Sequence, residues 1–161
     1  MSKHSKILDS WKAYTVIQGA KVPVYHVVKS SKYGVFKGCV IPCPQDYDNI
    51  NDWDGYKFAE RKCDIEIIHA KAKILRERAR GILNTHKTLW TKYKNTKDYE
   101  KASFLEDLYY QYEIAQKEYE QAYAQYKYMK EDFSNYTTRM INRRKELNNK
   151  IKKQRTQNVE Q

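Results

Sequence analysis

The stretch LEDLYYQYEIAQKEYEQAYAQYKYMKEDFSNYTTRMINRRKEL, residues 105–147, contains neither proline nor glycine. Its apolar residues recur at alternating intervals of three and four: Leu105, Leu108, Tyr112, Ala115, Tyr119, Ala122, Tyr126, Met129, Phe133, Tyr136 and Met140, then Arg143 and Leu147. A repeat averaging 3.5 residues keeps one stripe of a helix turned towards a partner helix, so this stretch reads as one arm of a coiled-coil-like pair. Alanine alternating with tyrosine lets two backbones approach while rings fill the space between them. Arg143 is a charge within the row and marks where burial of the seam is expected to stop.

Upstream, Ile65, Ile68, Ala72, Leu75, Ala79, Ile82, His86, Leu89 and Tyr93 repeat the spacing, with His86 the one strongly polar member. The polar segment Lys94 to Asp98 interrupts the pattern, and a connection that short lets neighbouring helices pack only in opposite directions. If Tyr93 lies near Leu105, Ile65 falls opposite Phe133 and the remainder of the second helix overhangs. Ser134, Asn135, Thr137 and Thr138 are weak helix formers, which predicts a kink or a third helix near 134. The overhanging Tyr136, Met140 and Leu147 need a cover, either from the N-terminal segment or from a second copy in a homodimer through residues 133–151.

Between Trp11 and Pro42 the pattern changes to short runs of β-branched and aromatic residues. Ala13 to Gln18, Val22 to Val28 and Tyr33 to Ile41, separated by Gly19 and by Ser30 and Ser31, predict an antiparallel three-stranded meander. In the third run Val35, Lys37, Cys39 and Ile41 alternate with Phe36, Gly38 and Val40, so both faces are partly apolar and one should lie under a helix. Gly34 and Gly38 beside Val40 resemble the spacing in small SH3-like barrels of nucleic-acid-associated proteins, a likeness that implies five strands where three are readable. Pro42 to Gly55 is an acidic loop carrying Asp46, Asp48, Asp52 and Asp54, with Asp52 or Asp54 the expected helix N-cap. The expected fold class is therefore α+β: a β module over 1–44, an acidic loop over 45–55, a long antiparallel helical hairpin over 56–155, and a disordered tail over 156–161.

A chain of 161 residues has room for one domain, or one module with a helical extension. Tyr outnumbers Phe by 15 to 4, so much of the packing must use rings that tolerate a wet edge. The formal net charge is +11, and it is blocked: positive over 1–44, negative over 45–60, positive over 61–100, negative over 101–132 and positive again over 133–161. Segregated charge implies separate surfaces, and the excess predicts a polyanionic partner, nucleic acid first with DNA favoured, or an acidic protein surface. No run approaches the roughly 20 apolar residues of a membrane span, and Met1 to Ser10 lacks an apolar core of the signal-peptide kind, so no membrane partner and a cytoplasmic location are expected. The excess of Lys over Arg, with frequent Asn and Tyr, reads as an AT-rich coding genome compatible with bacteria or their phages.

Two basic groups stand out. Lys71, Lys73, Arg76, Arg78 and Arg80 crowd ten residues of the first helix, and Lys73, Arg76, Arg80 and Lys87 fall near one stripe away from the seam. Arg139, Arg143, Arg144, Lys150 and Lys153 form the second group. Cations held in a row on a helix neutralise successive phosphates and release counterions; the plainer use of such residues is a solvated helix face. Tyr14, Tyr25, Tyr33 and Phe36, interleaved with Lys12, Lys32 and Lys37, have the chemistry to stack on bases, although packing a sheet onto a helix is the commoner use of such rings.

Cys39, Cys43 and Cys63 with His26 or His69 offer zinc-type ligands at a poor spacing, so no metal is expected and Cys39 reads as a small buried hydrophobe. The aspartate cluster lacks an oxygen ligand at Ile50 and a closing glutamate for calcium. There is no glycine-rich phosphate loop, nucleophile elbow or metal-binding histidine helix, so neither an enzyme nor a cofactor is expected. His86 reads as a core or register-setting residue. The chain is expected to be a basic, non-enzymatic binder of duplex DNA with little sequence selectivity. The alternatives are a protein-interaction module, including a phage-encoded modulator of a host enzyme, and a self-assembling coiled coil.

Overall fold

The structure, a computed structural model, describes residues 5–43 and 51–159; the side chains of Arg144 and of residues 156–159 are not among those described. Strands β1 (Lys6–Ile17), β2 (Ala20–Ser31) and β3 (Gly34–Val40) form an antiparallel sheet in the order β1-β2-β3, followed by helices α1 (Asp52–Tyr93) and α2 (Tyr99–Val159). The fold is α+β, a meander followed by a helical hairpin, as the two periodicities predict. The chain divides into two compact units, one made of Met1–Glu66 with Met129–Gln161 and the other of Ile67–Tyr128.

In the first unit β1 begins well before the predicted start at Ala13, pairing from Lys6 opposite Ser30 to Ile17 opposite Ala20. A register shift between Ile7 and Asp9 disrupts the alternation there, which hides the strand from a period-2 reading. Gln18 (φ 49°) and Gly19 (φ 79°) make the two-residue turn, both in the left-handed region that such a hairpin requires. Pro23 is tolerated inside β2 because β3 pairs only with Tyr25 to Ser31, so no ladder bond to β3 is lost at Pro23. The described sheet has three strands and no closure, so the barrel likeness does not carry over.

Tyr25, Val27 and Lys29 alternate onto the sheet face that α1 covers. Tyr25, Val27, Ala59 and Cys63 form the buried core, with Val40 and Tyr56 packed against it. The Tyr56 ring meets that of Tyr25 edge-on at 5.2 Å. Close approach is a glycine property here: a Cβ on Gly38 would strike the carbonyl oxygen of Ala59, and one on Gly55 would enter the Tyr25 ring. Cys63, rather than Cys39, is the buried thiol. Its one S–H faces the carbonyls of Val27 (3.2 Å) and Phe36 (3.5 Å), and burial pushes its pKa up.

Helix α1 starts four residues before the predicted Tyr56, and its N-cap is Asn51, not Asp52 or Asp54. Asn51 Oδ1 accepts from Trp53 N at 2.9 Å, and its carbonyl accepts from Gly55 N at 3.1 Å. The first turns of α1 beyond this cap cover the second helix. Phe58 lies 5.8 Å from Phe133 and 5.3 Å from Tyr136, and the Arg61 guanidinium sits 4.7 Å over the Tyr136 ring. Phe58 thus takes the place the sequence register assigned to Ile65. Thr137, Met140 and Ile141 line a cavity of about 220 Å³ with Tyr25, Val40 and Phe58.

Helix α2 runs uninterrupted through 134 to Val159, so no third helix begins there. The hydroxyls of Thr137 and Thr138 donate to the carbonyls of Phe133 (2.8 Å) and Ser134 (3.0 Å), which gives these weak helix formers a partner inside the helix. Met140 is the last half-buried member of the seam; Arg143 and Leu147 are exposed.

In the second unit Ile68, Ala72 and Ala79 of α1 and Leu105, Ala115 and Ala122 of α2 are buried. His69 stacks on Tyr126 (4.5 Å) and His86 meets Tyr109 (5.2 Å), an antiparallel register in which His86 keeps its seam position. Asp98 caps α2, accepting from Glu100 N at 3.1 Å; its carboxyl is held below the usual range by a hydrogen bond from Lys101 and by the backbone amides. No helix among the described residues is long and apolar enough to cross a membrane.

Candidate functional site

The α1 cations lie in the second unit, on the helix surface flanking its seam. Lys73, Arg76 and Lys87 are exposed and make no ion pair among the described residues, whereas Lys71 is half-buried. At 3.6 residues per turn Lys73, Arg76, Arg80 and Lys87 fall within an arc of about 60°. Two members of the predicted group already have acidic neighbours: Arg80 is 4.0 Å from Glu77, and Arg78, on the other side of the seam, reaches Glu118 of α2 at 3.9 Å. Both pairs are exposed and long, so each contributes little energy, but they reduce the local potential.

The second basic group lies in the first unit, at the C-terminal end of α2. Arg139, Arg143, Lys150 and Lys153 are all exposed, as are Lys145 and Arg155; Arg144 shares the segment, but its side chain is outside the described residues. Glu146 is the one carboxylate between Arg139 and Arg155. Beyond Met140 nearly every described side chain is exposed, so the helix presents charge on all sides.

The sheet aromatics divide. Tyr25 is fully buried and its hydroxyl donates to Asp52 Oδ1 at 2.6 Å, so it is not available to stack on a base. Burial first, then this hydrogen bond, pushes the Tyr25 pKa well up, while Lys12 (2.9 Å) and Tyr25 together hold the Asp52 carboxyl below its usual range. Tyr14 is exposed with Lys21 at 4.6 Å from its ring centre, and Lys32 sits 5.1 Å from that of Tyr33. On the face turned away from α1, Trp11 stacks on His26 at 4.8 Å with Lys37 4.9 Å over the indole. Burial and the Lys37 charge lower the His26 pKa. This group was invisible in the sequence because Trp11 and His26 meet only through the β1–β2 register.

Cys39 pairs with His26 in register and shares that outer face, whereas Cys63 lies between the sheet and α1, and His69 belongs to the second unit. Among the described residues no three of these zinc-type candidates gather in one place. Asp46 and Asp48 lie outside the described residues. An unforeseen charge cluster is Lys29, 5% exposed, which donates to Asp64 (2.6 Å) and Glu60 (3.1 Å) of α1. Burial alone would lower the Lys29 pKa, but the two carboxylates outweigh it and the net shift is upward.

At the loop end of the second unit, Trp90 and Tyr93 of α1 and Tyr109 and Tyr110 of α2 border an open groove of about 440 Å³ that also takes in Lys94, Glu106 and Glu113. Fold and surface together define a small α+β protein whose sheet packs on α1 and whose two helices each carry a group of cations. No family model, curated protein or solved structure matches the chain.

Proposed function

We propose that the chain binds nucleic acid, duplex DNA in preference to single strands, through phosphate contacts with little sequence selectivity. The observation that carries this reading is the C-terminal end of α2, a helix exposed on almost every side that bears Arg143, Lys145, Lys150, Lys153 and Arg155 against one carboxylate. A single exposed helix fits a major groove about 12 Å wide, and each phosphate it neutralises releases counterions. The α1 cations add a second, weaker contact because Arg78 and Arg80 face acids. Burial of Tyr25 removes one of the rings that single-strand stacking would use.

A homodimer through residues 133–151 has less support. Phe133 and Tyr136 are already covered by Phe58, and the exposed Leu147 and Ile151 are flanked by Arg143 and Lys150, whose like charges oppose a second copy. An acidic protein surface would use the same cations as DNA.

The test is a titration against random-sequence duplex at about 50 and 200 mM salt, where roughly six phosphate contacts lower affinity by about a thousandfold. Replacing Arg143, Lys150 and Lys153 with glutamine should weaken binding evenly across sequences and flatten the salt slope by about three phosphate equivalents. Replacing Arg76, Arg78 and Arg80 should do less. Negligible binding at the lower salt would reassign both groups to an acidic protein partner.

A further inference from the structure

We infer that the groove at the loop end of the second unit is a binding site for an organic cation, and that its occupant is an arginine-bearing segment of a partner protein. The inference stands apart from DNA binding, because it rests on different residues of opposite charge.

The walls of the groove are aromatic and open. Trp90 is 50% exposed and Tyr110 64%, with Tyr109 also exposed, so rings that contribute most when buried are left in water along one rim. Ile114, one turn beyond Tyr110, is exposed as well and extends this surface past the groove, giving room for more than a single side chain. Clustered exposed aromatics of this kind are the usual anchors of protein interfaces.

Charge selects the occupant. Glu106 and Glu113 border the groove two turns apart on α2, and neither makes an ion pair or side-chain hydrogen bond among the described residues. The rings present negative faces, which attract cations lying within about 6 Å. The chain already demonstrates this with its own lysines: Lys94 lies 5.7 Å from the Trp90 ring centre, and Lys101 lies 5.2 Å from that of Tyr93. A guanidinium matches both features at once, because it is flat enough to stack on a ring and offers paired N–H donors to a carboxylate. The same two carboxylates disfavour a phosphate backbone. Lys94 is the internal competitor, placing its ammonium where a ligand cation would sit.

The experiment uses the full chain and the indole N–H signal of Trp90 in a 15N-correlated NMR spectrum, assigned with Trp90→Phe. The probes are an acetylated Ala-Arg-Ala-Arg-Ala amide, the same peptide with citrulline for arginine, and oligothymidylate. A saturable shift with the arginine peptide and none with the citrulline peptide is expected. Glu106→Gln with Glu113→Gln, both exposed positions, should weaken the arginine peptide by about tenfold, and Lys94→Met should tighten it severalfold. Three results would overturn the inference: an equal response to citrulline, which makes the groove merely apolar; saturation by oligothymidylate that Lys94→Met weakens, which makes it a nucleic-acid face; or no shift at millimolar peptide.

Discussion

At the scale of single residues, the two glycines Gly38 and Gly81 make opposite predictions. Gly38 lies where α1 comes against the sheet, and a methyl there has the Ala59 carbonyl in its way, so Gly38→Ala should cost about 2 kcal/mol or more in urea unfolding. Gly81 sits in an exposed stretch of α1 with nothing within 4 Å of an added Cβ, so Gly81→Ala should stabilise by about 0.5–1 kcal/mol. Lys29 is the third case. Glu60→Gln combined with Asp64→Asn leaves its ammonium buried without a counter-charge, which should cost about 3 kcal/mol, and adding Lys29→Met should recover most of the loss. A triple variant no more stable than the double would show that the Lys29 stem, not its charge, holds the site. None of this was legible beforehand, because Lys29, Glu60 and Asp64 are ordinary surface types whose meeting depends on α1 crossing the sheet.

At the scale of elements, the seam was readable almost residue by residue, down to its end at Arg143, since a 3-4 repeat is a local property of one chain. The starts of elements were not. A register shift hides the first half of β1, and the first turn of α1 reads as loop because its aspartates resemble caps when Asn51 does that work. The end of α2 carries the element-scale prediction. A chain ending after Asn142 keeps the seam as far as Met140, so its helical thermal unfolding should stay within a few degrees of the full chain, while affinity for duplex DNA falls by at least tenfold. Loss of cooperative unfolding on truncation would mean that the basic segment has a structural role.

At the scale of the molecule, the pH response follows from groups between the sheet and α1. The pKa values of Tyr25 and Lys29 are raised on folding, so their contribution is complete below about pH 10, the ordinary range of both groups, and is lost as pH rises through the folded values. The pKa of Asp52 is lowered, so its contribution is present above about pH 4 and is lost as pH falls through the folded value. A plot of melting temperature against pH should show a plateau between about pH 7 and 9 with a decline on each side, the acid decline starting with His26, whose pKa is lowered on folding. Tyr25→Phe should make the alkaline decline shallower, and an unchanged decline would remove Tyr25 as its source. Net charge acts at this scale too: an excess of +11 opposes self-association at low salt, the condition in which a polyanion binds best.

The sequence by itself determined what depends on local pattern: a short meander, two helices joined by a polar connection, a seam with a definite end, and cations kept off it. Those follow from periodicity and charge, which need no knowledge of what lies across the chain. Only the tertiary structure decided which cations are already opposed by acids, that Tyr25 and Cys63 are buried while Cys39 is not, and that Trp11 meets His26. It also decided that aromatic residues at the loop end remain open between two unopposed carboxylates. Each of these is a relation between residues distant in sequence, set by strand register and helix pairing, and neither register nor pairing is written in the local repeat.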